Sequence, residues 1–343
     1  MPTQTFNVSD IIARSPMTAR RWFVIAACFT IALLDGFDTQ SIAFVGSSIA
    51  DDFGMSTVEL TWVITGSTIG MTIGAITLGS LGDRIGRKRT ISIALVIFGV
   101  FSIAGSLAQE PWQIVALRVI IGLGIGGATP SLLALAAEYS SESKRGISMT
   151  LVLLGLPGGA ILGGAVAAAW LPVLGWRGIF LLGGILPLLM LALLYFIPES
   201  PSYLVSRGIE PDRARAIRIL NRMAGTDVPA DAVLVSEDES ESAGSIGSLF
   251  SRKYKSTTIA ICLVYLANWI AWYLLLQWMP TALHDLGLSK SSAATGTIVV
   301  NTAFIVVSFP ISAALTRVNR LFRFQSALIA PRSPPEWISD LKM

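Results

Sequence analysis

Long apolar runs separated by short polar segments dominate the chain. A helix needs about 20 apolar residues to cross the roughly 30 Å hydrocarbon layer of a bilayer, and the runs are close to that length or longer. They lie near residues 22–50, 57–81, 90–108, 112–137, 146–171, 176–197, 257–280 and 291–315. Ser56 to Glu59 has the pattern of a capping box, and Pro111 stands where a helix can begin. The pattern predicts an all-α membrane protein with about eight transmembrane helices.

The composition agrees with a membrane protein and excludes several other classes. Of 343 residues, 53% are hydrophobic and 14% are charged, whereas globular domains carry about 25% charged residues. Cys28 and Cys262 both lie in apolar runs, so neither a disulfide framework nor a metal site is expected. With His284 as the single histidine, most histidine-based catalysis is excluded. We expect neither an enzyme nor a nucleic-acid-binding protein.

The basic residues indicate how the helices are oriented. They precede the first run or follow an even-numbered run, whereas the opposite loops hold only Arg177 and Lys290. The clustered residues are Arg14, Arg20, Arg21, Arg84, Arg87, Lys88, Arg89, Lys144 and Arg145, with others in the loop 198–256 and the tail. Because Lys and Arg concentrate in cytoplasmic loops, both termini are predicted to be cytoplasmic.

The loop 198–256 divides the chain into unequal parts. We expect a cytoplasmic segment at residues 1–21 and a six-helix half at residues 22–197. After the loop, we expect two helices of a second half at residues 257–315 and a cytoplasmic tail at residues 316–343. Within the loop, residues 211–223 are Arg-rich and amphipathic, so a surface helix ending at Gly225 is predicted. The acidic run 237–241 is typical of a flexible linker.

An internal repeat relates the two parts. Residues 52–56 resemble residues 285–289 at an offset of 233, and the same offset aligns residues 84–87 with 317–320. An even number of helices separates the copies, so they are expected to share one orientation. A complete second copy would end at about residue 430. We therefore expect a shortened product with six plus two helices.

Three charged residues lie inside predicted membrane helices. Asp35 and Asp38 are three residues apart and therefore share one helix face, and Arg118 lies deep in the fourth run. A charge at the bilayer centre costs roughly 2.5–3.5 kcal/mol, so such residues normally face a cavity or a partner. The acids could be a proton-coupling pair, or one acid could pair with Arg118 to hold helices together. Arg118 could equally bind a substrate carboxylate with two hydrogen bonds.

The seventh run carries polar and aromatic residues that could form a substrate pocket. Tyr265, Asn268 and Trp272 recur at approximately helical spacing and could contact a ring-bearing substrate, although some could instead face the lipid interface. Asn268 aligns with Asp35 by the repeat. Two stripes of glycine at four-residue spacing, in the second and fifth runs, predict close helix packing.

The turn at residues 79–89 carries the most distinctive motif, G-x-L-x-D-R-x-G-R-K. Its residues are Gly79, Gly82, Asp83, Arg84, Gly86 and Arg87. Gly86 suits a turn that needs positive φ. The motif resembles the signature between the second and third helices of the major facilitator superfamily. Together with Asp-Gly-Phe-Asp-Thr-Gln at 35–40, Arg118 and Pro-Glu-Ser-Pro at 198–201, it resembles the aromatic acid:proton symporters within that superfamily.

This resemblance, which covers about residues 20–320, implies a function. It implies proton-driven uptake of 4-hydroxybenzoate-like acids across the bacterial cytoplasmic membrane, by a monomer without a cofactor other than the proton gradient. It further implies that Asp35 and Asp38 are essential, and that the turn controls conformational change, with Asp83 closing against the other half. A sugar or non-aromatic organic-acid porter, or a transport-inactive remnant, remains as an alternative.

Overall fold

In the computed structural model, residues 5–230, 232–235, 251, 255–287, 296, 298–308 and 310 are described. The predicted acidic run 237–241, the second copy of the turn at 317–320 and the tail lie outside them. The strands are β1 (Thr5–Asn7) and β2 (Val233–Val235). The helices are α1 (Val8–Arg14), α2 (Ala19–Phe53), α3 (Thr57–Ile85), α4 (Arg87–Ser106), α5 (Pro111–Glu138), α6 (Arg145–Tyr195), α7 (Pro201–Ser206), α8 (Glu210–Ala224), α9 (Lys255–Asp285) and α10 (Ile298–Ser308).

Two of the predicted helix starts are confirmed. At the start of α3, the Glu59 carboxylate accepts from the Ser56 amide at 2.8 Å, and the Ser56 hydroxyl accepts from the Glu59 amide at 3.3 Å. This reciprocal pair is a capping box, which satisfies two of the donors left free at a helix N-terminus. Pro111 is the first residue of α5, where its missing amide proton costs nothing.

Helices α2 to α6 are each long and apolar enough to cross a membrane. α6 has 51 residues, more than twice the length that a single crossing needs. Gly175 interrupts it with φ 64° and ψ −178°, outside the helical region. Before Gly175 the helix packs along α2, and after it Gly184 meets α4 at Gly99. Gly175 therefore divides α6 into two helical segments, at the boundary between the predicted runs 146–171 and 176–197.

The predicted glycine stripes include some of the closest approaches between helices. Gly70 and Gly74 of α3 face the backbone of Val119 and Leu123 in α5. Gly155 and Gly159 of α6 face the backbone of α2 from Phe29 to Phe37. A side chain at these positions would separate the helices, so glycine is what allows the two pairs α3–α5 and α2–α6 to pack.

Replacing Gly159 with alanine is expected to lower the free energy of unfolding by about 1–3 kcal/mol, since overpacking forces the backbone apart. A Cβ at Gly159 would overlap the carbonyl oxygen of Leu33. Gly158→Ala is the matched control, because its nearest neighbour would be the Leu33 Cδ1 atom at 4.0 Å. Unfolding in detergent, followed by tryptophan fluorescence, measures both variants. Equal stability of the two would contradict this account.

A small cluster outside the membrane helices joins the N-terminus to the loop. The predicted surface helix is confirmed as α8, which ends at Gly225 with φ 66°. The apolar face of α8, at Ala216, Ile217 and Leu220, packs with Val8 of α1 and with α7. The all-α prediction missed the strands, since β1 pairs in parallel with β2. Three-residue strands give too weak a pattern to identify in sequence.

The environment of Arg21 in the structure differs from the one that the sequence predicts. The charge pattern predicts that Arg21 lies at the membrane surface, but its side chain is 1% exposed. Its Nε donates to the Tyr139 carbonyl at 2.8 Å, and its Nη1 and Nη2 donate to the Ser15, Pro16 and Ile12 carbonyls at 2.9–3.0 Å. Arg21 therefore ties the start of α2 to the segment before it and to the end of α5.

Candidate functional site

An ion pair joins α2 and α5 inside the membrane-spanning region. Arg118 Nη1 lies 3.0 Å from Asp38 Oδ1 and 2.9 Å from Asp38 Oδ2. Arg118 is 1% exposed and Asp38 is 4% exposed, so both charges are almost completely removed from solvent. The cost of burying them is offset only because they lie together. Of the two sequence-based possibilities for Arg118, the structure contains the pairing with an acid.

Arg118 has donors that the ion pair does not use. Its Nε and Nη2 atoms are buried and have no hydrogen-bond partner among the described residues. The Phe180 ring centroid lies 5.9 Å from the guanidinium carbon, a distance typical of a cation–π contact. Nε and Nη2 form one edge of the planar guanidinium, the edge that binds a carboxylate with two parallel hydrogen bonds. This edge is the part of Arg118 that the pairing with Asp38 leaves without a partner among the described residues.

Asp35 has a different environment although it lies one turn from Asp38. Its Oδ2 accepts from the Thr129 hydroxyl at 3.0 Å, and its Oδ1 accepts from the Thr39 hydroxyl at 3.3 Å. Within the described chain, no cation lies at ion-pair distance from Asp35. Thr129 belongs to none of the motifs recognised in the sequence. The signal was its spacing of three helical turns from Arg118, which places both residues on the face of α5 toward α2.

The aromatic and polar residues of α9 are not enclosed with this ion pair. Tyr265 is 63% exposed, Asn268 is exposed, and the Tyr265 ring contacts Trp269 at a centroid distance of 6.1 Å. The side chain of Trp272 lies outside the described residues. Their role in binding a substrate stays a prediction.

The turn between α3 and α4 has the geometry that its glycines predicted. Gly86 has φ 105°, so positive φ is confirmed there. Arg87 Nη1 lies 2.6 Å from the Asp83 carboxylate and donates to the Gly82 carbonyl at 2.9 Å. Arg87 Nε lies 3.3 Å from Glu138 at the end of α5. Asp83 is thus paired within its own turn, and Arg87 joins the turn to α5.

The remaining residues of the motif lie against α5 and α7. A Cβ at Gly82 would lie 2.8 Å from the Ser131 hydroxyl, and a Cβ at Gly79 would lie 3.4 Å from Pro130. Arg84 is exposed, and its carbonyl accepts from the Tyr203 hydroxyl at 3.3 Å. The two glycines therefore allow the close approach of α3 to α5.

Glu199 is a polar residue whose position the sequence did not reveal. Its carboxylate accepts from the amides of Lys88 and Ser200, each at 3.0 Å. Gly86, the residue before α4, has no side chain that could cap the helix. Glu199, which lies 111 residues after Lys88 in the sequence, supplies the acceptor at the N-terminus of α4 instead. The contact of Pro-Glu-Ser-Pro with the turn depends on the tertiary fold.

Comparison with known proteins gives consistent matches. Residues 28–331 match the family described as Major Facilitator Superfamily. The chain is 35% identical over 290 residues to a gallate transporter of Pseudomonas putida, covering 84% of this chain and 64% of the relative. It is 34% identical over 294 residues to the 4-hydroxybenzoate transporter PcaK of Pseudomonas aeruginosa, covering 85% and 65%. The chain thus spans slightly less than two thirds of the length of these relatives.

A solved structure supports the fold independently. The partially occluded, inward-open xylose transporter XylE of Escherichia coli superimposes with a TM-score of 0.67. The match covers 87% of this chain and 73% of XylE at 22% sequence identity. At that identity the likeness concerns the fold alone.

Proposed function

The chain belongs to the major facilitator superfamily, a family of membrane transporters and not of enzymes, and on that premise we propose that the whole protein takes up aromatic carboxylic acids together with protons. The substrate class follows the relatives, whose names specify gallate and 4-hydroxybenzoate. Transport proceeds by alternating access of a site between two halves, driven by the proton gradient without a further cofactor. The protein acts as a monomer.

The free guanidinium edge of Arg118 carries this proposal. A fully buried arginine with two unsatisfied donors is costly, and an arriving carboxylate would satisfy both of them. An uncharged sugar has no group that replaces the lost hydration of a guanidinium as well as a carboxylate does. Tyr265, Asn268 and Trp272 of α9 contact the aromatic ring of the substrate once the second half encloses the site.

Asp35 and Asp38 provide the proton coupling in this mechanism. A proton taken from outside neutralises one acid of the pair while the substrate carboxylate binds Arg118, so the proton cancels the charge that the substrate brings into the site. The closed site then carries no more net charge than the empty one, which favours its exposure to the other side of the membrane because a buried net charge is costly. Asp83, Arg84 and Arg87 hold the turn in the state that closes against the second half.

The topology proposed for the chain follows from the basic residues. Residues 22–197 cross the membrane six times, and residues 257–315 begin a second half with two further crossings, which gives eight. The ends of the helices near Arg84 to Arg89 and the surface helix α8 lie in the cytoplasm, as do residues 1–21, 198–256 and 316–343. Support comes from the excess of Lys and Arg at that end, with the protein in the bacterial cytoplasmic membrane.

Purified chain is expected to bind 4-hydroxybenzoate, and cells that express it to accumulate the labelled acid until a protonophore is added. Gallate and benzoate should compete, whereas xylose and succinate should not. Arg118→Gln should abolish binding, and Lys144→Gln, which changes an exposed cation, should not. Binding without uptake would favour the transport-inactive alternative. Competition by xylose alone would favour a sugar porter, and the absence of binding would contradict the proposal.

A further inference from the structure

A large groove lies on the basic end of the bundle, which we define as the end carrying the turn Gly79–Arg89. The cavity has a volume of about 1120 Å³ and is lined by α8, by the starts of α2 and α4, and by the end of α6. It is separate from the buried pair Asp38–Arg118, since neither residue lines it. Proton-coupled transport as proposed above makes no use of it.

The groove has a strong excess of positive charge. Seven cationic side chains line it against two acidic ones, Glu199 and Asp212. Both acids already have partners, because Asp212 lies 2.8 Å from Arg207 and Glu199 accepts from the amide of Lys88. In the described part of the chain, Arg89, Arg218 and Arg222 have no acidic partner within ion-pair distance. The acids that line the groove therefore do not balance its positive charge.

The packing of α8 holds these charges in place. Arg215, Arg218 and Arg222 are spaced to share one face of the helix and line the groove. The opposite face is buried in the apolar cluster with α1 and α7. The end of α8 is also bound to α2, because the Thr18 hydroxyl donates to the Met223 carbonyl at 2.7 Å. The arginine face is thus held by the fold along one wall of the groove, where its side chains remain exposed.

The other wall of the groove is aromatic and belongs to the membrane helices. Phe23 is 41% exposed, Tyr195 is 79% exposed and Phe196 is 71% exposed, and all three line the cavity. Aromatic side chains at helix ends favour the headgroup region of a bilayer, and basic pockets between such helices suit anionic headgroups. A ligand here meets arginines on one side and aromatic rings on the other.

We propose that this groove binds the phosphate of an anionic phospholipid, with phosphatidylglycerol as the simplest example. The phosphate lies among Arg218, Arg222 and Arg89, and the acyl chains lie along Phe23 and Tyr195. A soluble phosphate compound would use the same arginines, but it would leave the aromatic wall without a partner. The lipid then fastens α8 to α2 and α4.

The test uses the whole chain in nanodiscs of phosphatidylcholine with increasing phosphatidylglycerol, and native mass spectrometry to count the phosphatidylglycerol that stays bound. Enrichment over the bulk lipid ratio is expected. Since each basic residue near the surface contributes about fivefold to anionic lipid binding, Arg218→Gln with Arg222→Gln should lower it at least about tenfold. The matched control, Lys144→Gln with Arg145→Gln, removes two exposed cations from outside the groove and should retain the enrichment.

Four results would overturn the proposal. One is bound lipid at the bulk ratio in the unmodified chain. Another is an equal loss in the control pair, which would indicate attraction by net charge alone. The third is displacement of the lipid by millimolar glycerol 3-phosphate, which would identify a site for soluble phosphates. A thermal unfolding scan checks that the variants remain folded. The fourth result is a rise in unfolding temperature on adding phosphatidylglycerol that persists in the double variant Arg218→Gln with Arg222→Gln.

Discussion

Replacing Asp38 with asparagine is expected to destabilise the chain by about 3–5 kcal/mol and to abolish uptake, because it leaves the buried Arg118 guanidinium without a counter-charge. Asp38 is 4% exposed and accepts both of its ion-pair contacts from one nitrogen of Arg118. The loss is measured as the free energy of unfolding in detergent, together with uptake of labelled 4-hydroxybenzoate.

The double variant Asp38→Asn with Arg118→Gln separates stability from function. With both charges removed, most of the lost stability should return, since a missing pair costs far less than a single unpaired charge. Uptake should stay absent in the double variant because the carboxylate-binding group is gone. Additive destabilisation by the two changes would show that the pair does not couple and would contradict the assigned contact.

The pair Asp52–Arg177 serves as the matched control for this cycle. Arg177 Nη1 lies 2.7 Å from Asp52 Oδ2, as close as the buried pair, but both side chains are more than 40% exposed. Solvent screens such a pair, so Asp52→Asn should have a much smaller effect than Asp38→Asn. A comparable loss at both positions would mean that burial is not what makes the Asp38 contact important.

The sequence was most informative where a charge interrupts an apolar run. Asp35, Asp38 and Arg118 could be identified because burial of a charge in a membrane is costly enough to require a reason. The glycine stripes were informative for a similar reason, since small residues at four-residue spacing allow two helices to pack closely. The fold class, the capping box and the surface helix α8 also followed from local patterns.

Other features depend on how helices rotate about one another, which local patterns do not specify. Spacing placed both acids on one face of α2, but it could not show that Asp38 meets Arg118 while Asp35 meets Thr129. Arg21 illustrates the same limit. A basic residue at the start of a membrane helix usually faces headgroups, and only the approach of α5 and the preceding segment buries it.

The two parts of the candidate mechanism share α5. Arg118 and Thr129 on this helix contact the acids of α2, and Glu138 at its end lies 3.3 Å from Arg87 of the turn. α5 also packs on α3 through backbone contacts at Gly70 and Gly122, so these helices are constrained to move together. In the proposed mechanism, α5 is therefore the element that connects the acids to the turn.

Asp35→Asn is expected to leave the fold intact and to remove the coupling to protons. An amide has the shape of the protonated acid and can still accept from the Thr129 hydroxyl, which lies 3.0 Å from Asp35 Oδ2. Stability should therefore change far less than in Asp38→Asn, whereas uptake driven by a pH gradient should fall to background.

Proton linkage can also be measured on binding alone, which makes the result independent of transport. Calorimetry in buffers of different ionisation enthalpy gives the number of protons taken up with 4-hydroxybenzoate. The unmodified chain should take up protons on binding, and Asp35→Asn should bind the acid without them, because Arg118 remains to hold the carboxylate. Thr129→Val, which removes the hydroxyl but keeps the carboxylate, should retain the linkage. Unchanged proton uptake in Asp35→Asn would assign the coupling to Asp38 or to another group, and would contradict the role proposed for Asp35.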